Sequence, residues 1–238
     1  TTLHRTNEVN VPSSTFLEQA CTKSIVLTLM LLVLSFNPLF GQKSGTYYAA
    51  LRIPKKLQPQ FGKHMGAIKE KLPQRYEYRF NKLEDLHVTL FYYGELSREK
   101  RDEVRKSLRW AAQHYGTFTL QYRGLDVFNF RNGAPRVLWA RCLGRPLALK
   151  NLGHLIAGKA KKLDFPPPSF PFRPHVTLLR APFPKAGEAI ASTIELNTER
   201  PVFGDHHVTE FVLLRSGTRF DKLGPTIIER FKLSDFSK

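Results

Sequence analysis

The tetrapeptide His-Val-Thr-Leu occurs twice in the chain, at His87–Leu90 and again at His175–Leu178. In a β-strand, side chains two residues apart point to the same face of the sheet. Each copy therefore predicts a strand that shows an imidazole and a hydroxyl on one face and buries a valine and a leucine on the other. Two such strands facing each other would gather two histidines and two threonines around one groove.

The elements around the two tetrapeptides recur in the same order. The pattern predicts a strand, a helix, the motif strand, a helix and a strand over residues 47–53, 57–72, 85–93, 97–114 and 118–128. The same order is predicted over residues 137–143, 147–163, 172–179, 185–196 and 207–214, with a last strand over 220–233. An internal duplication explains the recurrence, and a pseudo-two-fold pairing of the halves would bring the two motifs face to face.

Composition and charge limit the class of protein. A chain of 238 residues with 42% hydrophobic side chains can build one large domain or two small lobes around a core. Lysine and arginine outnumber aspartate and glutamate by 37 to 20, which favours nucleic acid as a partner, because basic side chains that neutralise phosphates release counterions. A generally basic surface is the simpler alternative. Cys21 and Cys142 form neither a disulfide framework nor a zinc site, so we expect a cytoplasmic protein.

The first part of the chain differs from the rest. Residues 1–45 are predicted to form an N-terminal extension that contains an apolar stretch at 24–36 (SIVLTLMLLVLSF). This stretch resembles the apolar region of a signal peptide and is short for a membrane span, which needs about 20 residues. It is a signal or anchor, an appended helix, or upstream sequence foreign to the mature protein. We expect membrane contact only if 24–36 is a real anchor, and we assign residues 46–238 to a two-lobed domain.

Two histidines and two threonines around one groove suit acid–base chemistry on a phosphate. Imidazole titrates near neutral pH, so one ring can take a proton from water while the other protonates a departing sugar oxygen. The hydroxyls of Thr89 and Thr177 can donate hydrogen bonds to the phosphoryl oxygens. This scheme needs no metal or cofactor. Zinc is the weaker alternative, because no carboxylate or cysteine lies at ligand spacing from His87 or His175.

Arginines near the second motif could bind the same phosphate. Arg180 follows His175 by five residues, so strict alternation would turn it away from the groove. It can contribute only if the strand ends or bulges near Leu179. Arg173 has the same parity as His175 and is a further candidate, although Pro174 perturbs the path between them. A surface ion pair is the plain alternative for either arginine.

Several other residues have simpler explanations. The third His-x-Thr sequence, His207-Val208-Thr209, lacks matching flanks and is interpreted as incidental. Asp85 either orients His87 or only marks the entry to the strand. Surface positions are expected for three histidines on predicted helices: His64, His114 and His154. Core positions are the simpler expectation for the aromatic residues that could otherwise stack on a base: Tyr92, Tyr93, Phe128 and Trp139.

With these flanks, the two motifs resemble those of a known family. Asp85–Gly94 (DLHVTLFYYG) and Phe170–Arg180 (FPFRPHVTLLR) are similar to the paired motifs of the two-histidine phosphoesterases. The nearest branch is the RNA 2′,3′-cyclic phosphodiesterase group, historically called 2′-5′ RNA ligases. Arg136–Ala140 (RVLWA) and the closing stretch Glu210–Phe231 also look like strands of that family. The resemblance extends over residues 46–233.

The resemblance implies an α+β fold of two pseudo-symmetric lobes, each with a small sheet flanked by helices, around a central groove. It implies a monomer that hydrolyses the 2′,3′-cyclic phosphate of RNA or a nucleotide to a 2′-phosphate without a metal. Three alternatives remain open on the same fold: a 2′-5′ RNA ligase, a 2′-5′ oligonucleotide phosphodiesterase, and a non-catalytic RNA- or nucleotide-binding module.

The resemblance also implies roles for the motif residues. His87 becomes the general acid and His175 the general base. The phosphate-binding residues would be Thr89, Thr177 and Arg180. The first motif departs from the family at 91–93 (FYY), where a basic or small aliphatic residue is frequent, and this departure bears on substrate preference more than on chemistry.

Overall fold

The computed structural model of the protein describes residues 45–128, 133–195, 200–216 and 224–235. The predicted extension, with its apolar stretch at 24–36, therefore lies outside the described residues apart from Gly45. None of the helices in the described part of the chain is both long and apolar enough to span a membrane.

The described residues form strands, four α-helices and two short 3₁₀ turns, Lys55–Leu57 and Leu83–Asp85. The strands are β1 (Thr46–Arg52), β2 (Arg79–Phe80), β3 (His87–Glu95), β4 (Phe118–Phe128), β5 (Val137–Gly144), β6 (His175–Arg180), β7 (Val202–Val208), β8 (Glu210–Arg215) and β9 (Thr226–Lys232). The helices are α1 (Gln58–Lys71), α2 (Arg98–Gln113), α3 (Pro146–Lys161) and α4 (Pro184–Glu195).

The strands form two antiparallel sheets. The first sheet has the order β3-β1-β8-β9 and the second has the order β2-β6-β5-β4-β7. Helices α2 and α3 pack against strands of the first sheet, whereas α1 and α4 pack against strands of the second. The predicted α+β architecture of two small, helix-flanked sheets is therefore confirmed.

The two sheets are related strand by strand, with an exchange between the halves of the chain. Each motif strand pairs with the first long strand of its own half, β3 with β1 and β6 with β5. The next position is occupied by a strand from the other half: β8 pairs with β1, and β4 pairs with β5. The predicted duplication is visible in this order, but neither sheet is built from one continuous half of the sequence.

The hydrophobic face of each motif strand forms part of one core. Val88, Val176 and Leu178 are completely buried, and Leu90 is only 4% exposed. Full burial of one such side chain stabilises the fold by about 1.5–3 kcal/mol. The alternation predicted from the two tetrapeptides is therefore confirmed for their aliphatic residues.

The helix boundaries agree with the sequence pattern. Helix α2 begins where predicted, because the Ser97 hydroxyl accepts a hydrogen bond from the backbone N–H of Lys100 at 3.1 Å. Its buried face consists of Val104, Leu108 and Ala111, together with Ala112. Proline occupies the first turn of α1, α3 and α4, where its missing N–H has no helical partner to lose.

Several predicted strands differ from the observed ones. The last strand, predicted over 220–233, is observed at Thr226–Lys232, and residues 220–223 lie outside the described residues. The strand predicted over 207–214 was wrong: β7 ends at Val208, β8 begins at Glu210, and the two belong to different sheets. Both motif strands begin at their histidines, because a 3₁₀ turn precedes β3 and Pro174, which has no N–H to donate, precedes β6. Strand β2 was not predicted, since two residues are too few to show a period.

Candidate active site

Both motif strands contain a bulge at the same position, the leucine of the tetrapeptide. In the pairing of β1 with β3, Ala50 faces Thr89 and Ala49 faces Phe91, so Leu90 has no partner. In the pairing of β5 with β6, Trp139 faces Thr177 and Leu138 faces Leu179, so Leu178 has none. An extra residue reverses the alternation of side chains beyond it. Residues after each bulge therefore lie on the face opposite to the one that strict alternation predicts.

The second bulge brings Arg180 to the same face as His175 and Thr177. These three residues pair with alternate residues of β5: Arg141, Trp139 and Val137. The positive charge of Arg180 also lowers the pKa of His175, so the guanidinium acts electrostatically on the imidazole. The sequence analysis required a bulge near Leu179 for Arg180 to reach the groove, and the bulge lies at Leu178.

The first bulge places Tyr92 where the second motif has Arg180. His87, Thr89 and Tyr92 pair with alternate residues of β1: Arg52, Ala50 and Tyr48. The side chain of Tyr92 is 59% exposed, which contrasts with the expected core position, whereas Tyr93 is buried as expected. The two motifs are thus equivalent in backbone geometry and different in charge, since a phenol replaces a guanidinium.

Both imidazoles are held by backbone carbonyl groups in the same way. The Nδ1 atom of His87 lies 2.6 Å from the carbonyl oxygen of Asp85, and that of His175 lies 2.7 Å from the carbonyl oxygen of Arg173. A carbonyl oxygen only accepts hydrogen bonds, so Nδ1 carries the proton in each neutral ring. Nε2 is then left to accept or donate a proton. Asp85 and Arg173 thus orient the histidines through their backbone carbonyls.

The surroundings favour the neutral form of both histidines. Burial lowers the pKa of His87, the hydrogen bond to its carbonyl partner opposes this shift, and the positive charges of Arg52 and His175 lower the pKa further. Burial likewise lowers the pKa of His175, again opposed by its carbonyl partner, and Arg180 adds to the lowering. Because His175 acts electrostatically on His87, and because β3 and β6 lie next to each other, the two imidazoles share one site.

Aromatic rings restrict both imidazoles. The ring centroid of His175 lies 4.7 Å from that of Phe128, with perpendicular planes, and 5.7 Å from that of Trp139. His87 lies 5.1 Å from the ring of Tyr48, whose pKa burial raises to about 12, so the phenol stays neutral. Two of the aromatic residues for which core positions were expected, Phe128 and Trp139, therefore line the site beside His175.

His207, the histidine of the third His-x-Thr sequence, lies outside this site. His207 belongs to β7, which β4 and β5 separate from β6, and its ring lies 3.3 Å from the hydroxyl of Thr119. The third His-x-Thr sequence is therefore separated from the second motif by two strands and lies in a different sheet from the first, in agreement with its interpretation as incidental. Among the described residues, no group of three or more histidine, cysteine, aspartate or glutamate side chains is arranged to hold a metal ion.

Two arginines beside the histidines were missed in the sequence. Arg52 pairs with His87 across β1 and β3, and its guanidinium donates to the carbonyl oxygen of Glu84. Arg141 pairs with His175 across β5 and β6 and forms a 3.0 Å ion pair with Asp126. Each arginine is the cross-strand partner of a motif histidine, and this relation depends on strand register, which cannot be read from the sequence.

Comparison with known proteins shows similarity over most of the described chain. Residues 57–219 match the 2′-5′ RNA ligase superfamily. The chain is 32% identical over 154 residues to an RNA 2′,3′-cyclic phosphodiesterase of Aquifex aeolicus (strain VF5), an alignment that includes 63% of this chain and 79% of the relative. It is 28% identical over 152 residues to the RNA 2′,3′-cyclic phosphodiesterase of Escherichia coli (strain K12), including 63% and 77% of the two chains.

A solved structure agrees over almost the whole described fold. The crystal structure of E. coli LigT complexed with NADP⁺ superposes with a TM-score of 0.62 and 26% identity, and the match includes 82% of this chain and 100% of the other. The superfamily match spans more than half of the chain, and the two bulged His-x-Thr strands lie within it. The protein therefore belongs to the 2′-5′ RNA ligase superfamily.

Proposed function

We propose that the protein hydrolyses the 2′,3′-cyclic phosphate of RNA or a nucleotide to a 2′-phosphate, as a monomer and without a metal. The observation that carries this proposal is the matched pair of histidines, each on a bulged strand and each with Nδ1 at a backbone carbonyl oxygen. Relatives named RNA 2′,3′-cyclic phosphodiesterase support the same substrate class. Residues 46–238 would form the phosphoesterase domain and residues 1–45 an extension to it.

The chemical step uses the two Nε2 atoms on opposite sides of the phosphorus. Neutral His175 accepts a proton from water as the water oxygen bonds to phosphorus. Protonated His87 gives its Nε2 proton to the 3′-oxygen as the bond from phosphorus to that oxygen breaks. The product is a 2′-phosphate with a free 3′-hydroxyl, and the site is left with the proton on His175. Each proton transfer contributes a factor of about 10²–10⁴ to the rate.

Because both histidines have lowered pKa values, the charge of the substrate can help to protonate one of them. At neutral pH the free site holds two mainly neutral imidazoles, whereas the reaction needs one of them charged. The cyclic phosphodiester carries a negative charge, and a nearby opposite charge favours the protonated imidazole. Substrate binding is therefore expected to draw a proton onto His87.

The phosphate would be held by three side chains of the motifs. The hydroxyls of Thr89 and Thr177 lie on the faces that carry the histidines, and Arg180 joins them through the bulge. Burial lowers the pKa of Arg180, but the guanidinium stays charged because arginine is protonated throughout the ordinary pH range. Arg173 would act on His175 through its backbone carbonyl and would not bind the phosphate, since its side chain is exposed outside β6.

Hydrolysis of 2′,3′-cyclic nucleotides in excess chelator, with products identified by phosphorus NMR, tests this proposal. His87→Ala and His175→Ala should each lower kcat by about 10²–10⁴. His207→Ala is the matched control, because it removes an exposed His-x-Thr histidine outside the site and should leave the rate unchanged. Full activity in either motif variant would refute the catalytic pair, and a 3′-phosphate product would contradict the assigned leaving group.

The superfamily name favours ligation as a second candidate activity. If the 5′-hydroxyl of an RNA replaces water as the nucleophile, the same proton transfers yield a 2′-5′ linkage instead of a free 2′-phosphate. An excess of an oligonucleotide with a 5′-hydroxyl distinguishes the two, since ligation would give a longer product that depends on both histidines. A non-catalytic binding module would give neither product.

A further inference from the structure

Trp139 combines a buried polar group with a position inside the proposed site. Its side chain is 7% exposed, and its Nε1 atom has no hydrogen-bond partner within the described parts of the chain. A buried N–H without an acceptor costs free energy. The ring packs against both Phe128 and His175, at centroid distances of 5.3 Å and 5.7 Å. An apolar ring would pack there without an unpaired donor.

The register places this donor beside the phosphate-binding hydroxyl. Trp139 is the direct cross-strand partner of Thr177, and such partners have Cβ atoms about 4.5–5.5 Å apart. Both side chains lie on the sheet face that carries His175. A phosphoryl oxygen bound by the Thr177 hydroxyl would therefore lie close to the indole.

The pseudo-symmetric position in the first sheet lacks any such donor. There the partner of Thr89 is Ala50, and the counterpart of Arg180 is Tyr92. The guanidinium and the indole N–H thus both belong to the second sheet, beside Thr177. The second sheet therefore offers more hydrogen-bond donors to a phosphoryl oxygen beside Thr177 than the first sheet offers beside Thr89.

We propose that the Nε1–H of Trp139 donates a hydrogen bond to an unesterified phosphoryl oxygen of the bound substrate, together with Thr177 and Arg180. The proposal rests on the proposed phosphoesterase function and identifies a further substrate-binding residue.

An uncharged donor suits this position. Arg141, the cross-strand partner of His175, is ion-paired with Asp126, so Arg180 is the cation that acts on the pKa of His175. A further cation without an acidic partner would weaken the ability of that imidazole to accept a proton, whereas the indole binds the anion without adding charge.

The indole proton itself can be observed. The chain has two tryptophans, so a ¹H–¹⁵N correlation spectrum of the full chain shows two indole signals, and Trp110→Phe assigns them. Inorganic phosphate should move the Trp139 indole proton downfield and leave that of Trp110 unchanged. A Trp139 signal that stays in place at saturating phosphate would overturn the proposal.

Binding measurements complete the test. Trp139→Phe should weaken the binding of inorganic phosphate by about tenfold and raise KM, since the lost hydrogen bond has a charged acceptor. Replacing tryptophan by benzothienylalanine in the Trp110→Phe background keeps the ring shape, removes only the N–H and should have the same effect. If that replacement leaves phosphate affinity unchanged, the indole acts by packing and the proposal is wrong.

The outcomes separate this proposal from the proposed function. Hydrolysis that depends on His87 and His175, without an indole shift on phosphate addition, would overturn the Trp139 contact alone. An indole shift in a protein that does not hydrolyse 2′,3′-cyclic nucleotides would support the anion contact and refute the proposed function.

Discussion

Arg180 offers a test of the bulge, because only the extra residue at Leu178 turns its side chain towards His175. We expect Arg180→Gln to lower kcat/KM for a 2′,3′-cyclic nucleotide by about tenfold to a hundredfold. This range corresponds to about 1.5–3 kcal/mol for a hydrogen bond to a charged group. The loss should be larger in kcat than in KM if the guanidinium acts mainly on the charge that develops in the transition state.

The same substitution should change the pH dependence of the reaction. Arg180 lowers the pKa of His175, so removing the charge should raise that pKa. The general base must be neutral, and the acidic limb of the kcat/KM profile follows its ionisation in the free protein. That limb should therefore move to higher pH in Arg180→Gln. The shift can also be followed directly by NMR titration of the His175 ring.

Two further variants separate contact from net charge. Arg180→Lys keeps the charge but loses the planar fork, so it should restore the position of the acidic limb and only part of the rate. Arg79→Gln removes an equal charge from the facing residue of β2, where Arg79 is paired with Glu77 at 2.8 Å, and should change kcat/KM little. An equal loss in Arg79→Gln, or an unchanged rate in Arg180→Gln, would refute the inference drawn from the bulge.

Three predictions concern stability. Leu178→Ala should lower the free energy of unfolding by about 2–5 kcal/mol in urea titrations, because the side chain is fully buried, whereas Leu143→Ala, at a 41% exposed position, should cost much less. Gly187→Ala should lower Tm because its Cβ would lie 2.0 Å from the Pro135 carbonyl oxygen, whereas Gly158→Ala, with nothing within 4 Å, should raise it. Burial lowers the pKa of His206 to about 4 in the folded chain, whereas the unfolded chain binds this proton near pH 6.5. The folded state therefore loses stability as the pH falls from 6.5 to about 4, and His206→Gln should reduce that loss. A loss of equal size in that variant would contradict the assignment to His206.

The repeated tetrapeptide was sufficient to predict the two motif strands and their buried faces, because a period of two needs only local sequence. It was not sufficient for Arg180, since a bulge changes the period without any residue type that marks it. The bulge at Leu178 is visible only in the pairing with β5, where Leu138 and Trp139 face Leu179 and Thr177.

Other features depended on pairing between distant strands. Arg52 and Arg141 carry no motif, and they adjoin the histidines only through the register of β1 and β5. The break at Thr209 was missed because alternation continues through it, while the chain there passes from the second sheet to the first. Surface positions were expected for the histidines on helices. His154 is exposed, in agreement with this expectation, whereas His64 is partly buried and bonds the Val202 carbonyl at 3.1 Å.

The exchange of β4 and β8 between the sheets has a consequence for how the protein can be divided. A fragment ending after β4 would lack the partner that β8 provides to β1, and a fragment starting at β5 would lack β4 between β5 and β7. Neither fragment could complete a sheet, so the two would fold only by complementing each other. The chain is thus interlocked like a covalently joined, strand-swapped dimer, so each motif strand lies in a sheet that needs strands from both halves of the chain.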